Sequence, residues 1–292
     1  MQSLNVLVTG ASSGIGLATV KHLAPNNKVY AAVRRPESAT DLKVLAETSS
    51  NISIIQIDVD EDSSVSEGIA EVHSRAGRID VLINNAGIGG SGVIEFKPIS
   101  EAKQTFETDY WGPVRMIKGV LPGMREQRSG CIVNVSSMAG RVALGGHGHY
   151  CASKFALEGL SEILAQEVSA FNIRVAIIEP GVVLTSIFGK RRVRLTSIPE
   201  YDAITRRLSS LFEKQLRTPT MPETVAAIIE HAVTTDKPSL RYRVGHDAIV
   251  IMEGRSHVSD EEWVLTQSTG QDAEFRLGMK AILKEDLYSE NP

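Results

Sequence analysis

The sequence predicts an α/β fold, a doubly wound parallel sheet (Rossmann fold) of about seven strands with helices on both faces. Three observations carry this. Short runs rich in Val and Ile alternate with helix-like stretches as far as Val244. Those runs are continuously apolar, as in strands covered on both faces, whereas a half-exposed strand would alternate with polar residues. A glycine-rich turn joins the first run to the first helix, and in such sheets the ligand crevice opens at the carboxyl ends of the strands.

In chain order, residues 4–9 (LNVLVT) form the first strand and 15–23 the first helix. Residues 29–33 are the second strand, and beyond Pro36 a helix covers 39–49. Residues 52–57 (ISIIQI) are the third strand, and 60–75 a helix whose acidic start suits the positive end of its dipole. The fourth strand is 79–84, residues 100–125 read as one long helix, and 131–135 (CIVNV) is the fifth strand. Residues 155–171 carry Leu157, Leu160, Ile163, Leu164, Val168 and Phe171 as an apolar stripe at helical spacing. The sixth strand, 174–178, stops at Pro180-Gly181. Periodicity then weakens over 185–220, which is expected to be a mobile lid. A helix at 222–233 and a seventh strand at 240–244 follow, then short helical pieces such as 260–266 and 272–283. The expected organisation is one domain over residues 1–245 with a helical appendage, 246–292, on the same body.

Composition narrows the function. With 42% hydrophobic and 23% charged residues among 292, the chain can bury a sizeable core. Aromatics at 5% are too few for a platform that stacks single-stranded bases. A net charge of −4 gives no general attraction to nucleic acid or to an anionic membrane. Two cysteines, Cys131 and Cys151, exclude a disulfide framework and a four-cysteine zinc site, so no metal is expected. The start MQSLNVLVTG lacks the basic head of a signal peptide, and no apolar run approaches the ~18 residues of a membrane span. A cytoplasmic location is expected.

The chemistry begins at Gly10-Ala11-Ser12-Ser13-Gly14-Ile15-Gly16. Glycines here let the backbone approach a pyrophosphate while the helix N-terminus offers unpaired N–H groups. Read alone, the same turn also serves as a ligand-free strand–helix junction. The second strand ends at Val33 without the acid that binds the adenosine ribose of NAD, and Arg34 and Arg35 follow instead. Two guanidiniums there suit the 2′-phosphate of NADP(H). Asn84, Asn85, Ala86 and Gly87 close the fourth strand, where small residues admit a cofactor and Asn side chains tie strands together. Tyr150 and Lys154 stand four apart on one helix face, with Ser136 and Ser137 at the same rim of the sheet. A Lys⁺ beside a phenol favours phenolate, which suits Tyr to acid–base work near neutral pH.

With these motifs the sequence resembles the short-chain dehydrogenases/reductases. The glycine turn, Asn84–Gly87, Ser137, and the run Tyr150-Cys151-Ala152-Ser153-Lys154 fall in that family's order and spacing. Asp58-Val59 matches its adenine-side pair, and Pro180-Gly181 with Thr185 its motif after the sixth strand. The resemblance covers about residues 4–244 and is nearest the 17β-hydroxysteroid and retinol dehydrogenase-like branch.

It implies roles residue by residue. Tyr150 would be the acid/base, Lys154 would bind the nicotinamide ribose and lower the Tyr150 pKa, and Ser137 would polarise the carbonyl. Gly10, Ser12, Ser13, Gly14, Ile15 and Gly16 would line the pyrophosphate and adenosine ribose. Pro180, Gly181, Val183 and Thr185 would seat the nicotinamide. Arg34 falls where NADP-preferring members carry Arg. The family's usual Asn before a glycine is replaced at Asp109-Tyr110-Trp111-Gly112 by an acid. Asp109 near Lys154 would offset its charge and raise the pH optimum; as the bland alternative, it caps a helix irregularity. Met138, Leu144, His147, Ile187 and Phe188 would frame a pocket for a hydrophobic ketone, aldehyde or alcohol. The basic stretch 190–194 is read as a solvated face. The alternatives are an NAD-dependent alcohol dehydrogenase working oxidatively, or a dinucleotide-binding regulator impaired in turnover. A homodimer or homotetramer, paired through helices 100–125 and 155–171, is also implied.

Overall fold

The computed structural model describes residues 3–185 and 198–288. Its centre is a parallel sheet of β1 (Asn5–Thr9), β2 (Lys28–Val33), β3 (Ile52–Gln56), β4 (Val81–Asn84), β5 (Gly130–Val135), β6 (Ile173–Pro180) and β7 (Arg241–Val244). The strand order is β3-β2-β1-β4-β5-β6-β7, so the winding reverses between β1 and β4, where a doubly wound sheet opens its crevice. The predicted fold class is the one observed.

Side-chain alternation distributes each strand between two cores. Val6 and Val8 point to one face, under α1 (Gly14–Leu23), α2 (Thr40–Glu47) and α8 (Pro222–Thr234). Leu7 points to the other, under α3 (Asp62–Ala76), α5 (Gly112–Gln127) and α6 (Gly148–Val168). The tail helices α9 (His246–Ser256), α10 (Asp260–Ser268) and α11 (Asp272–Leu283) make a third core with α7 (Asp202–Gln215). That core also contains Met138, Leu144 and Val182, so it reaches the rim of the sheet.

Two elements differ from expectation. The helix read as 100–125 is α4 (Ile99–Phe106), one wide π turn over Glu107–Trp111, and then α5. Pro113 has no N–H for the Asp109 carbonyl, and the Gly112 N–H donates five residues back to Glu107. Within 185–220, residues 202–215 form α7, and Leu208, Leu211 and Phe212 are buried. Its apolar stripe has few members, and only packing against the tail reveals their partners. Among the described residues, no helix is long and apolar enough to cross a membrane.

Candidate active site

The glycine turn leaves β1 beside the switch point. Gly10 adopts φ +65°, which favours glycine, and a Cβ on Gly16 would lie 2.3 Å from the Gly10 carbonyl oxygen. Polar side chains lace this turn to the end of β4. The Thr9 hydroxyl accepts from the N–H groups of Asn85 and Ala86 at 3.0 and 3.1 Å. The Asn85 amide donates to the carbonyls of Thr9 and Gly10 at 3.0 and 3.2 Å. Next door, Asn84 donates to Asn134 at 2.9 Å and Asn134 to the Ser161 hydroxyl at 2.8 Å, tying β4 and β5 to α6. The strand-tying expected of these asparagines is met.

Helix α6 starts at Gly148, earlier than the apolar stripe suggested, so Tyr150 and Lys154 both lie in its first two turns. The Lys154 ammonium is buried, donates to the Val135 carbonyl at 3.2 Å, and lies 5.7 Å from the Tyr150 ring centroid. Asp109, fully buried in the π turn, stands 3.8 Å from that ammonium. Its carboxylate accepts from the Ile88 N–H at 2.8 Å and lies 3.3 Å from the Ser153 hydroxyl. Ser137 follows β5, accepts from the Ala139 N–H at 3.1 Å, and lines the same cavity as Tyr150.

A cavity of about 560 Å³ opens at this rim. It is lined by Ser13, Gly14 and Ile15 from the glycine turn, and by Asn85 and Gly87 after β4. Ser137, Met138, Leu144, His147, Tyr150 and Lys154 form its floor, with Pro180, Gly181, Val183 and Thr185 after β6. The His147 ring is 4.6 Å from that of Tyr150.

Gly10, Ser12, Gly16, Arg34, Arg35, Asp58, Val59 and Ala86 are outside this cavity. Arg34 and Arg35 are exposed at the end of β2, and among the described residues neither has an ion-pair partner. The Asp58 carboxylate accepts from the Asp60 N–H at 3.2 Å, and Val59 is buried in the core under α5. Ile187, Phe188 and the basic stretch 190–194 lie outside the described residues. The lining residues that sequence reasoning missed include Lys97, Glu101 and Phe212. The Phe212 signal was its i, i+4 spacing from Leu208; Lys97 and Glu101, 3.7 Å apart, gave none beyond an ordinary helix pair.

The family model for short chain dehydrogenase matches residues 4–195. The chain belongs to the short-chain dehydrogenase family. The 3-ketodihydrosphingosine reductase of Bacteroides thetaiotaomicron is 37% identical over 249 residues, 84% of this chain and 89% of the relative. Human retinol dehydrogenase 8 is 34% identical over 81% of this chain and 79% of its own length. Among solved structures, a short-chain dehydrogenase from Streptomyces avermitilis superposes with TM-score 0.80 at 36% identity, covering 92% of this chain and all of that one. The closed form of a serine dehydrogenase complexed with NADP+ gives 0.71 at 28% identity, covering 82% and 94%. This short-chain dehydrogenase is therefore an oxidoreductase acting on carbonyl and CH–OH groups.

The electrostatics of this short-chain dehydrogenase depart from the expectation of a depressed Tyr150 pKa. In the protein alone burial pushes the phenol up, the Asp109 charge pushes it further, and the Ser137 hydrogen bond works the other way. Burial also raises the Asp109 carboxyl, opposed first by Lys154 and then by the Ile88 N–H. Asp109 thus lies against the Lys–Tyr pair as its sequence position suggested, with burial working against its charged form and Lys154 working for it.

A second buried acid lies behind the site. Glu179, on β6 before Pro180, has its carboxyl pushed up from 4.5 to about 7 by burial and then by the neighbouring Glu158. The Arg241 guanidinium is 3.0 Å from Glu158, 3.4 Å from Glu179 and 2.7 Å from Glu162, one cation among three carboxylates. A raised acid binds its proton more tightly when folded, so its stabilisation is full below 4.5 and lost as pH rises through about 7. Thermal melts of Glu179→Gln are therefore expected to fall less than wild type between about pH 5 and 8. Parallel curves would remove Glu179 from the account.

Proposed function

We propose that this short-chain dehydrogenase is an NADP(H)-dependent enzyme that interconverts a bulky hydrophobic ketone or aldehyde and its alcohol. The carrying observation is the meeting of the Ser137 hydroxyl, the Tyr150 phenol and the Lys154 ammonium at one cavity. The residues fit a dinucleotide: Ser13, Gly14 and Ile15 bring the N-terminal N–H groups of α1 to the cavity wall, where they suit a pyrophosphate.

Gly10 and Ser12 to Gly16 would hold the pyrophosphate and adenosine ribose, with Asp58 and Val59 on the adenine side. Asn85, Ala86, Gly87, Pro180, Gly181, Val183 and Thr185 would seat the nicotinamide end, and Lys154 its ribose. When bound, the nicotinamide supplies or takes the hydride. Ser137 donates a hydrogen bond to the carbonyl oxygen and orients it. Tyr150 gives its proton to that oxygen on reduction and takes it back on oxidation, while the Lys154 charge favours the phenolate. Met138, Leu144, Val183 and Phe212 line the cavity with apolar surface, which supports a hydrophobic substrate. The names of the two relatives, a ketosphingoid reductase and a retinol dehydrogenase, point the same way.

Trp111, Phe155 and Ile163 are exposed apolar side chains on or beside the helices expected to pair, which supports a homodimer or homotetramer. Two unpaired, buried cysteines fit a cytoplasmic setting.

NADP(H) is preferred in this reading because Arg34 and Arg35 are exposed and, among the described residues, have no ion-pair partner. Arg34→Ala is expected to weaken NADPH about tenfold, since a charge-assisted hydrogen bond contributes roughly 1.5–3 kcal/mol, and to leave NADH unchanged. Paired NADPH and NADH titrations of both proteins, followed by turnover on a panel of hydrophobic carbonyls, test this. Equal effects on the two dinucleotides would reassign the arginines to solvent, and no binding of either would end the whole reading.

A further inference from the structure

Asp247 is the second residue of α9, the first tail helix, and is buried. Its carboxylate Oδ2 accepts from the Val182 N–H at 2.7 Å, across 65 residues of sequence. It sits at the positive end of α9, where the N–H groups of Ala248 and of Asp247 itself favour its charged form. Among the described residues no Lys or Arg pairs with it, so backbone donors are its main compensation.

The contact is close enough to dictate a neighbour. A Cβ on Gly181 would lie 2.1 Å from Asp247 Oδ1 and 2.4 Å from Oδ2, so the loop after β6 tolerates this acid only with glycine at 181. The other side of the loop is held by Thr220: its N–H donates to the Val182 carbonyl at 3.2 Å, and its carbonyl accepts from Leu184 at 2.9 Å. The Gly181 N–H donates to the Val244 carbonyl at 2.9 Å. Gly181, so held, lines the cavity, as do Val183 and Thr185, the neighbours in sequence of the held Val182 and Leu184.

We infer that Asp247 is a positioning residue for the nicotinamide seat, holding the loop of Gly181 to Thr185 from beneath through the Val182 amide. The C-terminal helices thereby set how the dinucleotide's nicotinamide end is received. This rests on the functional reading above. Asn has the same shape as Asp but only one acceptor oxygen, so its amide NH2 would face one of the converging N–H donors.

The test uses the full-length protein, wild type and Asp247→Asn, with NADPH and with 2′-phospho-ADP-ribose, which lacks the nicotinamide. Asp247→Asn is expected to weaken NADPH about tenfold while leaving the fragment within about twofold. Amide exchange, read without any ligand, is expected to be slow at Val182 in wild type and faster in the variant. Unchanged NADPH affinity overturns the inference, as does a parallel loss for the fragment, which marks a merely structural role. Rapid exchange at Val182 in wild type overturns it even if the variant does not fold. Wild-type protein that binds neither probe overturns the functional reading itself, and this inference with it.

Discussion

Tyr150→Phe is expected to lower kcat by about a thousandfold or more and to leave NADPH affinity nearly unchanged. The ring remains to pack against His147, whose ring lies 4.6 Å away, so the fold and cavity shape persist. What disappears is the hydroxyl, the proton donor and acceptor at the carbonyl oxygen. Proton transfer by a positioned side chain contributes roughly 100- to 10,000-fold, and the one other hydroxyl in the first two turns of α6, that of Ser153, is turned back to donate to the Tyr150 carbonyl at 2.8 Å. Steady-state rates on a reducible carbonyl, with cofactor fluorescence for binding, measure both quantities. A variant retaining a tenth or more of the activity would move the acid–base role to another group.

Asp109→Asn is expected to move the pH–rate profile to lower pH by on the order of one unit. The sign follows from the charges. Asp109 raises the Tyr150 phenol and stands 3.8 Å from the Lys154 ammonium. Removing its negative charge leaves Lys154 free to favour phenolate, so the phenol titrates lower. In the oxidative direction the rate rises as Tyr150 loses its proton, and that limb moves down. In the reductive direction the rate falls as the proton is lost, and that limb moves down as well. The Asn oxygen still accepts from Ile88, so the loop after β4 keeps its anchor. Asp109→Ala removes anchor and charge together and leaves Lys154 buried without its partner, at a cost of about 3–5 kcal/mol of stability in denaturant unfolding. An unchanged profile in Asp109→Asn would show that the acid only caps the irregular turn.

Most of the sheet was legible because buried parallel strands must be apolar throughout, and runs such as LNVLVT and CIVNV announce that locally. The start of α6 was less legible. Its first turn, Gly148 to Cys151, lies before the apolar stripe, so periodicity dated the helix late. The π turn was hidden for another reason: Pro113 in a helical pattern signals a defect, but not which carbonyl is released or where Asp109 is turned.

The sequence by itself determined the fold class, the glycine turn, the Ser137, Tyr150 and Lys154 set and the oddity of Asp109, because each depends on residue type at short spacing. Only the tertiary structure decided that Asp109 is buried against Lys154, that the Tyr150 phenol is raised, that Phe212 of α7 lines the cavity, and that the tail packs in one core with Met138, Leu144 and Phe212. It alone brought Asp247 under Gly181. Burial and the distance between charges are properties of packed surfaces, and residues 65 apart in the chain carry no local sign that one will solvate the other's backbone.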